Sequence, residues 1–217
     1  MNRNRENPEI LWYFDFISPF AYLQHEMLKT VRGTRPDFRY TPVPVLFPGL
    51  LKHHGNKGPV EIESKRELTY RHCQWLADRD GIPFRMPAVH PFNPLPFLRL
   101  AISRDNDPDV IDRLFRYIWV ESPDNPAFST PEAIAGIDGF GNVAGETAVP
   151  AVKDRLRTNT EDAISNGVFG VPILRIGEVL FWGTDMTEMA LEHWDAVRMP
   201  RRDSEKPGEQ DASPGPD

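Results

Sequence analysis

The chain has 217 residues, 40% of them hydrophobic, and 25 basic against 32 acidic side chains give a net charge of −7. That apolar fraction supplies a sizeable core for one domain or one domain with an insertion, and the acidic balance argues against a broad phosphate-binding face, so no nucleic acid partner is expected. Its 22 prolines, about twice the typical ~5% share, stand against a single cysteine, Cys73, which excludes an internal disulfide, a redox CxxC pair and a cysteine-rich metal cage.

The lone cysteine fits a reduced, cytoplasmic setting. No apolar run precedes Ile10, and no later stretch is long enough to span a bilayer, so neither a targeting segment nor a membrane partner is expected.

Residues 10–16 form a nearly continuous apolar run, which predicts a central strand covered on both faces. Ser18-Pro19 then opens a helix: serine caps free N–H groups and proline fits the first turn. Phe20, Leu23, Met27 and Val31 recur at helical spacing, with Gly33 as the expected stop. Phe38, Tyr40, Val43 and Val45 read as a second strand, pushed to a sheet edge by Pro42 and Pro44. Residues 46–60 read as loop, with room for a helical turn over Leu46–Lys52.

Residues 61–79 predict a helix with Leu68, Trp75 and Leu76 on one side and Cys73 as a packed thiol. Five prolines between 82 and 97 predict a wrapping connection. Helical patterns resume over 97–104, from Asp107-Pro108 to Trp119, after Thr130-Pro131, and over 149–166 with Val152, Leu156 and Ala163 inward.

Val171–Ile176, with Pro172 near its start, and Val179–Trp182 predict a hairpin across Gly177-Glu178 in a type II′ turn. Thr184 or Asp185 is expected to cap a last helix through Met189, Ala190 and Trp194. Residues 198–217, charged and proline-rich, are expected to be a disordered tail. The order gives an α/β fold: a thioredoxin-like core from 8–45 and 168–197, with an inserted, mostly helical subdomain over 46–167.

Two positions carry candidate chemistry. Ser18 sits where a strand delivers the chain to a helix N-terminus, where N–H groups and the helix dipole favour an anion such as a thiolate; simple capping is the other reading. Pro172 is either an ordinary trans proline at a strand start or a cis proline that turns the Val171 backbone toward a ligand. No G-x-S-x-G elbow makes Ser18 a hydrolase nucleophile, and no HExxH pattern offers a metal site. His53 and His54 read as a surface loop pair, with contact to an anionic substrate as the alternative.

Residues 15–23 (DFISPFAYL), 55–57 (GNK), Lys65, 90–96 (HPFNPLP), 167–172 (GVFGVP) and 181–185 (FWGTD) occur in that order. In this combination the chain resembles the 2-hydroxychromene-2-carboxylate isomerase family, relatives of kappa-class glutathione transferases in the DsbA-like branch of the thioredoxin fold. The resemblance runs from about Ile10 to Trp194.

It implies glutathione as cofactor, a small aromatic substrate and a homodimer. Ser18 matches the serine that hydrogen-bonds the glutathione sulfur. Asn56 and Lys65 match side chains that hold the tripeptide. Val171, before the family's cis-proline Pro172, matches the backbone that binds the cysteinyl portion. Thr184, a departure from the serine common in kappa enzymes, and Asp185 match the γ-glutamyl positions. The implied activity is isomerisation through reversible thiolate addition. A kappa-like conjugating transferase and a non-catalytic thiol- or peptide-binding module stand as alternatives. Phe20, Tyr22, Phe47 and Trp182 are candidates for the aromatic wall of a substrate site.

Overall fold

The computed structural model describes residues 8–198. Its sheet has the order β2-β1-β3-β4. Strand β1 (Ile10–Phe14) is parallel to β2 (Thr41–Pro44) and antiparallel to β3 (Ile173–Ile176), which pairs antiparallel with β4 (Val179–Trp182). Trp12 and Phe14 enter a larger hydrophobic cluster, whereas Tyr13 enters a smaller one with Val45, Leu50 and Ile173. Strand alternation thus explains why β1 is apolar at successive positions: both its faces are covered.

The edge strand accommodates its prolines through the same alternation. The Val45 N–H donates to the Phe14 carbonyl at 2.9 Å, so residues two apart from it face β1 while the nitrogens of Pro42 and Pro44 face the open edge. In the hairpin, Gly177 takes φ +59° and is the turn's one positive-φ residue, as a type II′ turn requires.

Helix α1 (Pro19–Thr34) follows β1 and runs through Gly33 rather than stopping there, because the chain turns off at Arg35, whose N–H closes on the Val31 carbonyl at 2.7 Å. Helix α2 (Phe47–His54) extends past the expected single turn to Gly55, which takes φ +65°. After a 3₁₀ turn at Pro59–Glu61 comes α3 (Glu63–Asp80). Its buried stripe is Cys73, Leu76 and Ala77, while Leu68 and Trp75 are 57% and 56% exposed, against expectation. At about 100° per residue, Trp75 lies opposite the stripe, where it stacks with His72 and the Arg79 guanidinium.

Helices α4 (Leu95–Ser103) and α5 (Pro108–Arg116) come next, α5 continuing as a π-helical turn over Tyr117–Glu121. Then come α6 (Pro131–Ala135), α7 (Val143–Ala148) and α8 (Pro150–Ser165). Helix α7 was not expected from periodicity; Asn142 starts it, its Oδ1 accepting the Gly145 N–H at 3.1 Å.

The rings of β1 and this helical region share one core. Trp12 stacks on Phe14 at 4.4 Å, and Phe16 meets Phe115 at 4.6 Å. The last helix, α9 (Thr187–Arg198), includes Arg198, which the sequence reading placed in the tail; it pairs with Asp37 and Asp195. The rest of the expected tail, 199–217, lies outside the described residues. Among the described residues no helix is long and apolar enough to cross a membrane.

Candidate active site

The turn from β1 to α1 presents Ser18, and every carbonyl from Asp15 to Ser18 has a donor. Asp15 O accepts the Ser18 N–H at 3.1 Å, and Ser18 O accepts Ala21 N–H and Tyr22 N–H at 3.0 and 3.2 Å. The helical region supplies the other two: Trp119 Nε1 donates to Phe16 O at 3.3 Å, and His90 Nε2 donates to Ile17 O at 2.8 Å. Since His90 gives its Nε2 proton to Ile17, Nδ1 of the neutral ring is an acceptor, and the Tyr70 hydroxyl donates to it at 2.8 Å. Burial holds the His90 pKa below the usual histidine value, keeping this neutral form.

Asp15 is fully buried and braces the turn from within. Its Oδ1 accepts the Ile17 N–H at 3.1 Å, and its Oδ2 accepts the Phe47 N–H at 2.9 Å. Leu46, at the cap position of α2, has no capping side chain, so Asp15 performs that role from a distance. Burial pushes the Asp15 carboxyl up to about 7, against the lowering effect of those two N–H donors.

Ser18 is the N-cap of α1 and only 7% exposed; its Oγ accepts the Ala21 N–H at 3.2 Å. That bond uses an oxygen lone pair and leaves the hydroxyl hydrogen without an acceptor among the described residues. No acidic residue lies in the first turn of α1 to offset the positive end of the helix dipole.

The second part of the site abuts the first through sheet register. Tyr13 pairs with Ile173, so the residues preceding β3 meet the chain leaving β1. The Val171–Pro172 peptide is cis. Strand β3 begins at Ile173, not at Val171 as the sequence reading had it, and Val171 is buried with its N–H and C=O in no hydrogen bond among the described residues.

Gly183 N–H donates to Pro172 O at 2.9 Å and carries Thr184 and Asp185 to this end of the sheet. Those two do not cap α9 by their side chains as expected. The helix begins at Thr187, whose N–H donates to the backbone carbonyl of Thr184 at 3.2 Å. Both side chains are left without partners among the described residues.

Buried Gln24 ties this loop to α1, a role the sequence reading did not assign. Its Oε1 accepts from Trp12 Nε1 at 2.8 Å, and its Nε2 donates to Gly183 O at 2.8 Å and Thr187 Oγ1 at 2.9 Å. Asn56 follows the left-handed Gly55, and Lys65 stands on the first turns of α3; both are exposed and neither side chain has a partner among the described residues. No direct bond joins them to Ser18. His54 Nε2 donates to Val168 O at 3.2 Å, linking the end of α2 to the loop before Pro172.

Of the four candidate wall rings, Tyr22 is in the core with its hydroxyl donating to Pro83 O, and Phe20 and Phe47 are half-buried. Trp182 is 51% exposed and meets Phe169, which is 39% exposed, at 5.3 Å between centroids. Phe169 thus joins Trp182 as an exposed ring at this end of the sheet, one the sequence did not single out. Cys73 is buried, and burial pushes its thiol up to about 12, so it is no nucleophile at neutral pH. One group among the described residues, His25, Glu26 and Asp112, has metal-type donors, but the Lys29 ammonium already lies 2.9 Å from Glu26 and 2.6 Å from Asp112.

A β-α-β unit and a ββα unit on one sheet, with a capped helix start facing the proline that precedes β3, define a protein of the thioredoxin fold. The chain belongs to the DSBA-like thioredoxin domain family, which it matches over residues 9–194. It is similar to glutathione S-transferase kappa 2 of Caenorhabditis elegans, 26% identical over 187 residues covering 77% of this chain and 80% of the relative. It is similar as well to 2-hydroxychromene-2-carboxylate isomerase of Pseudomonas putida, 27% identical over 180 residues covering 80% and 88%. A solved 2-hydroxychromene-2-carboxylate isomerase shares the fold with a TM-score of 0.75 at 22% identity, covering 87% of this chain and 95% of that one. The chain is an enzyme of the DSBA-like family, similar to isomerases and to glutathione transferases.

Proposed function

We propose that the protein is a glutathione-dependent isomerase of the 2-hydroxychromene-2-carboxylate type, interconverting that compound with trans-o-hydroxybenzylidenepyruvate. The observation that carries the reading is the Ser18 hydroxyl, held at the start of α1 with its hydrogen uncommitted. Bound glutathione would supply a thiolate that adds reversibly to a conjugated carbon of the substrate and is regenerated.

The residues present fit that tripeptide. Ser18 donates to the sulfur and, with the α1 terminus, favours its charged form. Lowering a thiol from ~8.5 by about two units takes roughly 2.7 kcal/mol. A hydrogen bond to a charged group contributes roughly 1.5–3 kcal/mol and a helix terminus about 0.3–1 kcal/mol, which together reach that order.

Val171, its backbone groups free, receives the cysteinyl backbone as a strand would, and Pro172 leaves that edge open. Lys65 pairs with a carboxylate, Asn56 offers donor and acceptor, and Thr184 and Asp185 hold the α-amino end. Phe169 and Trp182 give the aromatic substrate a flat wall.

The similarity to a kappa transferase favours one further reading, conjugation of an electrophile at the same sulfur site. A product assay separates them. Isomerised substrate with free glutathione recovered supports the isomerase; a stable thioether supports the transferase; binding of glutathione without either product sinks both.

A further inference from the structure

A cavity of about 450 Å³ opens beside the C-terminal half of α1. Trp12, Phe38 and Tyr40 give it flat aromatic surface, Arg32 and Arg39 give it nitrogen donors, and none of its lining residues is acidic. Arg32 follows Ser18 by 14 positions, which is about 21 Å along a helix rising 1.5 Å per residue.

The charges around it are unevenly matched. On the same connection between α1 and β2, Arg35 is paired with Asp195, and Asp37 with Arg198. Arg32 and Arg39 form no ion pair among the described residues, in a chain whose net charge is −7. His25 is 4% exposed; its Nε2 donates to Asp112 at 3.0 Å, and its Nδ1 is buried with no partner. Asp112 does not line the cavity, and its charge is shared with Lys29 at 2.6 Å.

We infer that this cavity binds a small flat-bodied carboxylate, independently of the site at Ser18. Two guanidinium forks match a carboxylate in geometry as well as charge, and aromatic walls take the apolar body behind it. The volume lies within the range of small-ligand sites and suits a single-ring acid. A bare inorganic anion would use the arginines and leave the rings idle.

Benzoate is the probe, titrated into the full-length protein saturated with S-methylglutathione and followed by backbone amide shifts. Saturable binding at a Kd of about 1 mM or tighter is expected, with shifts centred on residues 36–42 and the start of α5. The Arg32→Gln/Arg39→Gln variant should weaken it at least about tenfold with glutathione affinity unchanged. Both side chains are exposed and in no ion pair among the described residues, so that variant should fold. Tyr40→Ala should weaken benzoate but not inorganic phosphate. The inference is overturned if benzoate fails to saturate, if the double variant binds it as well as the parent, if S-methylglutathione displaces it, or if phosphate binds as tightly.

Discussion

His90 donates from Nε2 to the carbonyl of Ile17 at 2.8 Å, one peptide unit before Ser18. The residue that presents the candidate sulfur ligand is therefore positioned by a side chain 72 positions further along the chain. Replacing His90 with Phe leaves the Ile17 carbonyl unpaired, a cost of about 1–3 kcal/mol, while the Tyr70 hydroxyl keeps the backbone carbonyl of residue 90 as its acceptor at 3.2 Å. Tyr70→Phe removes the donor to His90 Nδ1 and to the His90 carbonyl, leaves the Ile17 bond in place and should cost about 1 kcal/mol. Urea denaturation should rank the two variants in that order. Isomerase activity should fall further in His90→Phe than in Tyr70→Phe, with a raised thiol pKa of bound glutathione; an unchanged thiol pKa would show that His90 acts on stability alone.

Asp15 gives the fold a pH dependence of definite sign. Its folded pKa of about 7 exceeds the ordinary ~3.9, so the folded state holds the extra proton between those values and stability falls as pH rises through them. From about pH 5 to about pH 8 the loss should reach roughly 2–4 kcal/mol. His90 works in the opposite direction: its depressed pKa means stability present above ~6.5 is lost as pH falls through the folded value. Urea midpoints against pH should lose the alkaline decline in Asp15→Asn and keep the acidic one. A parallel decline in both proteins would remove Asp15 as the cause.

Ser18→Ala removes the sulfur donor and the cap on Ala21 together. The lost cap should cost about 1 kcal/mol. The thiol of bound glutathione, followed by thiolate absorbance, should rise by about one to two pKa units, and turnover should fall roughly 10- to 100-fold. Ser18→Thr, which keeps a hydroxyl, should restore part of both.

Gln24→Met preserves shape but strands Trp12 Nε1, the Gly183 carbonyl and the Thr187 hydroxyl. Thermal unfolding should show a loss of roughly 2–4 kcal/mol. Because Gly183 leads into Thr184 and Asp185, glutathione affinity should drop more than the affinity for the aromatic substrate. Equal losses in both would indicate general loosening instead.

Trp182→Ala tests the aromatic wall with little structural risk. The side chain is half exposed, so stability should change by no more than about 0.5 kcal/mol. The KM for the aromatic substrate should rise several-fold while the KM for glutathione holds. An unchanged substrate KM would place the ring outside the substrate site.

The sequence by itself determined the parts whose cause is local. The apolar run of β1, the Ser18-Pro19 start of α1, the prolines of the edge strand and the Gly177 turn all act through neighbours in the chain, so periodicity and capping chemistry locate them. The ordered motifs from Ser18 to Asp185 likewise pointed to the family. What only the tertiary structure decided is how the β1–α1 turn is held. Asp15, His90, Trp119 and Gln24 bond groups 32 to 163 positions away, and no spacing rule encodes such partners. The outward turn of Leu68 and Trp75 was hidden for a related reason: a helix with mixed faces buries whichever stripe its neighbours cover. The many prolines and lone cysteine that first set limits on this chain fall into place here. Prolines shape the edge strand and the residue before β3, while the one thiol is sealed in the core.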